Sequence, residues 1–343
     1  MAYNTVILPD RPTVDRIAAY VIFEEAVERT LDIAFGSQGV LLSDADMEAL
    51  AKDGKFPIGI GKGMTYRDCE IDGKRFGSET SLILYELRNV GKLAEDMVLD
   101  DFARMMDRNN KDGYLVHQQL SINWIVRQAY RLGCDPKMVV RWCSDVVSVF
   151  LRARRIELAN GLSLGLRDRA KEMANAVLMR LPESARIHNG PMSVQRYIRD
   201  MTSLEAIEDT IVSHAMLWVE IHDRARARQV AAKETADTRR FPTFQLTGRR
   251  EKGVWLDSDD FYLMNELVHR CSLVVMRSSA GSIVIMSKRF RLDDMATTLM
   301  EREPDRWYYE PFQHNVLANE APPTALSREK LEHYVGTALL TQR

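Results

Sequence analysis

The strongest constraint on how this chain folds lies in its first ninety residues, where short apolar runs alternate with segments whose apolar side chains recur at helical spacing. Residues 5–8 form an apolar run closed by Pro9 and Pro12, and Ile17, Ala18, Val21, Ile22 and Ala26 then follow a helical period. A second strand is expected at 31–35. Ser43 with Asp46 three residues later forms a capping box ahead of a helix to about Lys52. Residues 56–60 read as a third strand bounded by glycines, and residues 81–87 open another helix. Parallel strands need a crossover that a helix supplies, so this alternation predicts a doubly wound parallel sheet.

From about Asp96 to Thr235 the period turns helical throughout, as in Ile122, Ile125, Val126 and Ala129, then Val139, Trp142, Val146, Val149 and Phe150. Four to six packed helices are expected, with breaks at Pro182 and at 188–191. Residues 235–252 are polar, basic and interrupted by Pro242, the pattern of a linker or mobile loop. Beyond them, 272–276 and 282–286 are β-rich runs joined through Arg277, Ser278, Ser279, Ala280 and Gly281, a hairpin signal. A helix at 293–301, an aromatic strand at 307–309 and a final helix capped by Ser327 complete a small unit. The fold class is therefore α/β: an N-terminal doubly wound parallel sheet over 1–95, a helical middle over 96–235 and a small C-terminal α+β domain over 253–343. A length of 343 residues accommodates two or three such domains.

Charge narrows the choice of partner. A net charge of -2 with 28% charged residues gives no global field that would drive the chain onto nucleic acid or an anionic membrane, so any such binding needs a local patch. The opening residues lack a basic region followed by an apolar one, and no stretch reaches the ~18 uninterrupted apolar residues of a membrane span. A cytoplasmic protein is expected. Cys69, Cys134, Cys143 and Cys271 are scattered without CxxC spacing, which predicts reduced structural thiols.

Three segments carry a resemblance. The run from Asp10 to Ala19, with Arg11, Pro12, Thr13 and Asp15 ahead of an apolar helix, is similar to the first motif of the DHH phosphoesterase superfamily. The glycine turn over 59–63 resembles the turn that follows in that family, and 78–82 resembles the small-residue start of its next helix. The segment 303–331 is similar to the ends of DHH-like proteins. Members of this superfamily hold two divalent cations, usually manganese, with Asp and His side chains, activating a water against a phosphoryl group. Here Arg11 stands where the family has His, Thr13 and Gly59 where it has Asp, and Tyr66, Arg67 and Asp68 where the Asp-His-His lies. Asp15, Asp68 and Asp107 are what remains for a metal. The resemblance thus implies a degenerate member without two-metal hydrolysis and without a cofactor, Mn2+ or Mg2+ being expected only if the metal site survives.

The replacements put cations where the family holds metal charge. Arg11, Thr13, Gly61, Lys62 and Arg67, with Arg277, Ser278 and Ser279 from the C-terminal hairpin, are the candidate phosphate-binding residues, with glycine amides assisting. The leading expectation is recognition of a nucleotide or nucleic-acid phosphate in a cleft between the first and last domains. One alternative is an active phosphoesterase or nuclease with an altered metal set around Asp15, Asp68 and Asp107. Another is a non-catalytic subunit or homo-oligomer that assembles through exposed Trp124, Trp142 or Trp218. No membrane partner is expected.

Other constellations read more plainly. Gly59, Gly61 and Gly63 would need a further glycine where Tyr66 stands to make a dinucleotide fingerprint. His214 and His222 lie about two turns apart on one helix, too far for one ion, and His188 is further upstream. The run 107–113 resembles a calcium loop, but its glycine falls one place late and Lys111 takes a ligand position. Arg224, Arg226, Arg228, Lys233, Arg239, Arg240, Arg249, Arg250 and Lys252, interleaved with Phe241 and Phe244, could track a nucleic-acid backbone, and otherwise form a solvated helix end diluted by Asp223, Glu234 and Asp237. No G-x-S-x-G elbow supports a serine hydrolase.

Overall fold

Strand β1 (Thr5–Pro9) runs between β2 (Asp32–Gly36) and β3 (Lys55–Pro57), parallel to both. The computed structural model describes residues 3–36, 42–60, 70–112, 121–160, 164–181, 183, 192–204, 208–246, 251–304, 306–309, 316–318 and 324–338. They divide into two compact units, Met1–Ala225 and Arg226–Arg343. Helix α1 (Val14–Val27) leads from β1 outward to β2, and α2 (Asp44–Lys52) leads from β2 back past β1 to β3. Right-handed crossovers that reverse direction place successive helices on opposite faces, the doubly wound arrangement. The capping box of Ser43 and Asp46 opens α2 as its spacing predicts. β3 stops short of the expected 56–60, because Pro57 has no N–H to donate and Gly59 turns the backbone to φ +68.

Val6 and Leu8 of β1 are fully buried, and α1 is buried on almost every side, from Val14 through Phe23. It is a central helix: α3 (Glu79–Asn89), α5 (Ile122–Arg131) and α6 (Pro136–Asn160) all pack against it. The helices of the middle of the chain, α4 (Met97–Asp112), α5, α6, α7 (Leu164–Arg180), α8 (Val194–Ser203) and α9 (Glu208–Thr238), therefore contribute to one apolar core with the N-terminal sheet. A short hairpin, β4 (Glu70–Ile71) with β5 (Lys74–Arg75), precedes α3. The expected breaks at Pro182 and 188–191 lie outside the described residues.

The tryptophans correct the expectation of exposed assembly anchors. Trp218 is fully buried and meets Trp142, 8% exposed, edge to face with ring centroids 5.1 Å apart. Trp124 is half-buried against the His222 ring. Burying rings of this size stabilises the bundle more than exposing them would. Cys134, Cys143 and Cys271 are free thiols, and burial pushes the Cys143 thiol up. No helix among the described residues is long and apolar enough to cross a membrane.

The second unit is built on a six-stranded sheet in the order β10 (Tyr308–Tyr309), β11 (Val316–Ala318), β9 (Ile283–Met286), β8 (Leu273–Arg277), β7 (Lys252–Asp257), β6 (Thr243–Gln245). Only β7 and β8 are parallel, joined through α10 (Phe261–Arg270), and β8 and β9 form the expected hairpin. Helices α11 (Asp293–Arg302) and α12 (Arg328–Ala338) pack together, and Leu299, Leu331 and Val335 close the core over Trp255, Val275 and Ile285. The linker expected over 235–252 is corrected in part, since α9 continues to Thr238 and 243–245 is the edge strand β6. Pro242 stands just ahead of β6, its carbonyl accepting from the Trp255 N–H at 2.9 Å, and the start of an edge strand is a place where a missing N–H is tolerated.

Candidate functional site

Sheets of this kind place ligands outside the carboxyl ends of the strands, where the direction of winding reverses. Here that position lies beyond β1 and β3. β1 delivers Arg11 and Thr13, both exposed, to this edge. Thr13 is the N-cap of α1 in an extended conformation, φ -70 and ψ 164, yet its side chain makes no capping bond. Arg11 pairs with no acid among the described residues. Gly61, Lys62, Arg67 and Asp68 follow β3 in the sequence and lie outside the described residues.

Asp15, one residue into α1, is 2% exposed. Its Oδ2 accepts from the Glu79 N–H at 2.9 Å and from Asn110 Nδ2 at 2.9 Å, while its Oδ1 accepts from the Thr80 N–H at 3.0 Å and the Thr80 hydroxyl at 2.7 Å. A carboxylate has about four lone-pair directions, and all of them face donors. The same contacts solve a problem at α3, whose first N–H groups have no partner within the helix. Asp15 takes the first two, Ser78 Oγ takes that of Ser81 at 3.0 Å, and the Ser78 carbonyl takes that of Leu82 at 3.1 Å. The buried negative charge thus sits against the positive end of the α3 dipole, which is why it tolerates removal from water.

Asp107 reaches the same place from α4. Its Oδ1 accepts from the Ser78 hydroxyl at 2.5 Å, and Asn110, one turn on, also donates to the Gly77 carbonyl at 3.1 Å. Next to Asn110, Asn109 accepts from Asn123 of α5 at 3.1 Å. On the other side, Arg16 lies 3.9 Å from the Glu79 carboxylate and passes over Gly59, where a Cβ would come within 2.4 Å of its Nε. One interlocked polar layer therefore joins the starts of α1 and α3 to α4 and α5.

Hard divalent cations need several free oxygen or imidazole ligands at one point. The lone pairs of Asp15 are taken, and among the described residues no three His, Cys, Asp or Glu side chains are grouped to hold an ion. The described donors do not fit a two-metal centre. The residues of the 107–113 segment up to Asp112 continue helix α4. His214 instead bonds the Tyr197 hydroxyl through Nδ1 at 2.6 Å, and buried His222 pairs with Asp223 at 3.0 Å.

In the C-terminal unit the hairpin residues are engaged with one another and with acids. Arg277 Nε donates to Asp257 at 2.8 Å, Ser278 Oγ accepts from the Ser282 N–H at 3.0 Å, and the Ser279 N–H donates to Asp259 at 2.8 Å, holding that carboxyl below its ordinary value. Of the basic stretch, Arg224, Arg226, Arg228, Lys233, Arg239, Arg240 and Lys252 are exposed, whereas Phe244 is 7% exposed and packs inside the unit, leaving Phe241 as the more accessible ring.

Sequence reasoning singled out Asp15, Asp107 and the 78–82 segment separately. It missed that they meet, and missed Asn110 and Arg16. No local signal marks those two, since Asn110 lies 95 residues from the carboxylate it serves.

No family model matches the chain. No curated protein matches it either. Among solved structures it is similar to RecJ from Thermus thermophilus in complex with Mn2+, at 10% identity and a TM-score of 0.47 over 97% of this chain and 52% of that one, so the chain spans about half the length of that protein. It is also similar to exonuclease RecJ bound to manganese, at 11% identity and a TM-score of 0.42 over 98% of this chain and 89% of that one. An uncharacterized protein from Helicobacter pylori is similar at 9% identity and a TM-score of 0.32, over 98% of this chain and 99% of that one.

Proposed function

We propose that the chain binds the phosphate of a nucleotide or nucleic acid at the carboxyl ends of β1 and β3, through Arg11 and Thr13 together with Gly61, Lys62 and Arg67, without two-metal hydrolysis. The proposal does not extend to Arg277, Ser278 and Ser279, whose polar groups meet Asp257, Ser282 and Asp259. One observation carries it: the acid retained in the ligand-like place, Asp15, spends its lone pairs on α3 and Asn110, while Arg11, four residues before it at the end of β1, is exposed. A guanidinium at such an edge binds phosphate oxygens by charge-assisted hydrogen bonds and needs no metal.

Titration calorimetry with mononucleotides, dinucleotides and short oligonucleotides tests this. Binding is expected, weakened about tenfold or more by Arg11→Ala. Absence of heat with every ligand, or Mn2+-dependent hydrolysis of bis(p-nitrophenyl) phosphate by the purified wild-type chain, overturns it.

A further inference from the structure

Helices α1 and α6 pack side by side, and the far end of α1 and the middle of α6 enclose an open cavity of about 520 Å3. Its two walls are matching stripes, each spaced i, i+3, i+4, i+7 along its helix. The α1 wall carries Glu24, Glu25 and Glu28 above Val21, and the α6 wall carries Arg152 and Arg155 beside Leu151. Of the ion pairs that such opposed stripes could make, one closes among the described residues: Arg155 Nη2 donates to Glu25 at 2.6 Å, while its Nε donates to Asp96, just ahead of α4, at 2.7 Å. Glu24 is turned to the backbone, accepting from the Leu31 N–H at 2.7 Å. That leaves Glu28, Arg29 and Arg152, which line the cavity and whose side chains meet no partner among the described residues.

Glu28 is an unfavourable residue at its position on two counts. It ends α1 in the left-handed conformation, φ 54 and ψ 34, where glycine is the usual residue. It also adds a carboxylate to the negative end of the α1 dipole, where a cation would be stabilising. A cation in the cavity would offset that charge, and Arg152 and Arg29 would hold an anion. We infer that the cavity binds a small zwitterion of peptide type, its ammonium end against Glu28 and the end of α1 and its carboxylate end against Arg152 and Arg29. A simple cation would meet the unpaired arginines and a simple anion the unpaired glutamate, whereas a molecule charged at both ends matches both walls. The Thr30 and Ser148 hydroxyls are placed for the amide between the ends, and Val21 and Leu151 favour aliphatic side chains. The volume lies in the ~300–1,000 Å3 range of small-molecule pockets. This site stands about 20 Å along α1 from Asp15, at a rise of ~1.5 Å per residue, and does not depend on the phosphate reading.

The test is calorimetric titration of the full chain, at about pH 7, with the dipeptide leucyl-leucine, its N-acetyl form and its C-terminal amide, which remove one end charge each. The wild type is expected to bind the free dipeptide about tenfold or more tightly than either blocked form. Arg152→Gln should erase the preference for the free carboxylate over the amide, and Glu28→Gln the preference for the free amine over the acetylated form. Both side chains are exposed, so these variants are expected to fold. Glu28→Gly should weaken binding of the dipeptide in the same way while raising the ligand-free melting temperature by about 2 °C or more, because glycine removes the left-handed backbone penalty. That opposite movement is one that a purely structural Glu28 would not produce. No heat from the free dipeptide, equal binding of all three probes, or a Glu28→Gln variant that still prefers the free amine as the wild type does, overturns the inference.

Discussion

Asp15 and Thr80 are joined twice across 65 residues of chain, the Thr80 N–H and the Thr80 hydroxyl both donating to Asp15 Oδ1, at 3.0 and 2.7 Å. The first helix after β1 is thereby fastened to the first turn of α3, and a buried charge is balanced by helix N–H groups and Asn110.

Asp15→Asn keeps the size of the side chain but turns an NH2 group toward donors. The expected loss is on the order of 3 kcal/mol, read as a lower urea midpoint with an unchanged slope. A variant as stable as the wild type would show that these bonds do not hold α3 in place.

Gly59 and Gly73 offer a paired comparison. Both have positive φ, +68 and +74, but a Cβ at Gly59 would strike Arg16 whereas a Cβ at Gly73 meets nothing within 4 Å. Gly73→Ala should cost about 1–2 kcal/mol, the left-handed backbone penalty alone. Gly59→Ala should cost more, by roughly 1–3 kcal/mol, because Arg16 must leave its place over the turn. Equal losses in thermal unfolding would mean that Arg16 moves freely.

Asp200 on α8 is 3% exposed, and burial pushes its carboxyl up to about 6 despite Arg196 Nε at 2.8 Å. The folded chain therefore holds this proton more tightly than the unfolded one, which releases it near pH ~3.9. Its contribution to stability is fully present below that pH and is lost as pH rises through about 6. The full loss is on the order of 3 kcal/mol. Denaturant titrations at about pH 4 and about pH 7 should show this fall in the wild type and a smaller one in Asp200→Asn. A slope identical in both proteins would assign the pH dependence elsewhere.

Manganese provides a separate check on Asp15. With its lone pairs engaged, about 1 mM Mn2+ should leave the melting temperature within about 1 °C, since a ligand stabilises only in proportion to its binding to the folded state. A rise of several degrees that Asp15→Asn removes would show that a cation displaces the donors from α3.

Much of the architecture is written in short stretches of residues. The order of β1, α1, β2, α2 and β3 follows from apolar runs broken by Pro9, Pro12 and the glycines, the start of α2 from Ser43 and Asp46, and the β8–β9 hairpin from two β-branched runs around a Ser-Gly turn. Each of these depends on groups within a few positions of one another, so local propensity and hydrogen bonding are enough to specify them. Residues 235–252 show the limit, because whether a polar segment with a proline is a loop or an edge strand depends on whether a neighbour such as β7 presents free carbonyl and N–H groups.

The candidate site divides in the same way. Asp15, Arg11 and the 78–82 segment stand out in the sequence by residue type and by their place after a strand. That Asp15 caps α3, that Trp142 and Trp218 face each other instead of solvent, and that Phe244 turns inward were decided only by packing. A carboxylate offers the same lone pairs to a metal, to water or to a helix start. Which of them it meets depends on contacts made across 65 and 95 residues of chain, and these form only when the apolar faces of α1, α3 and α4 close on one core.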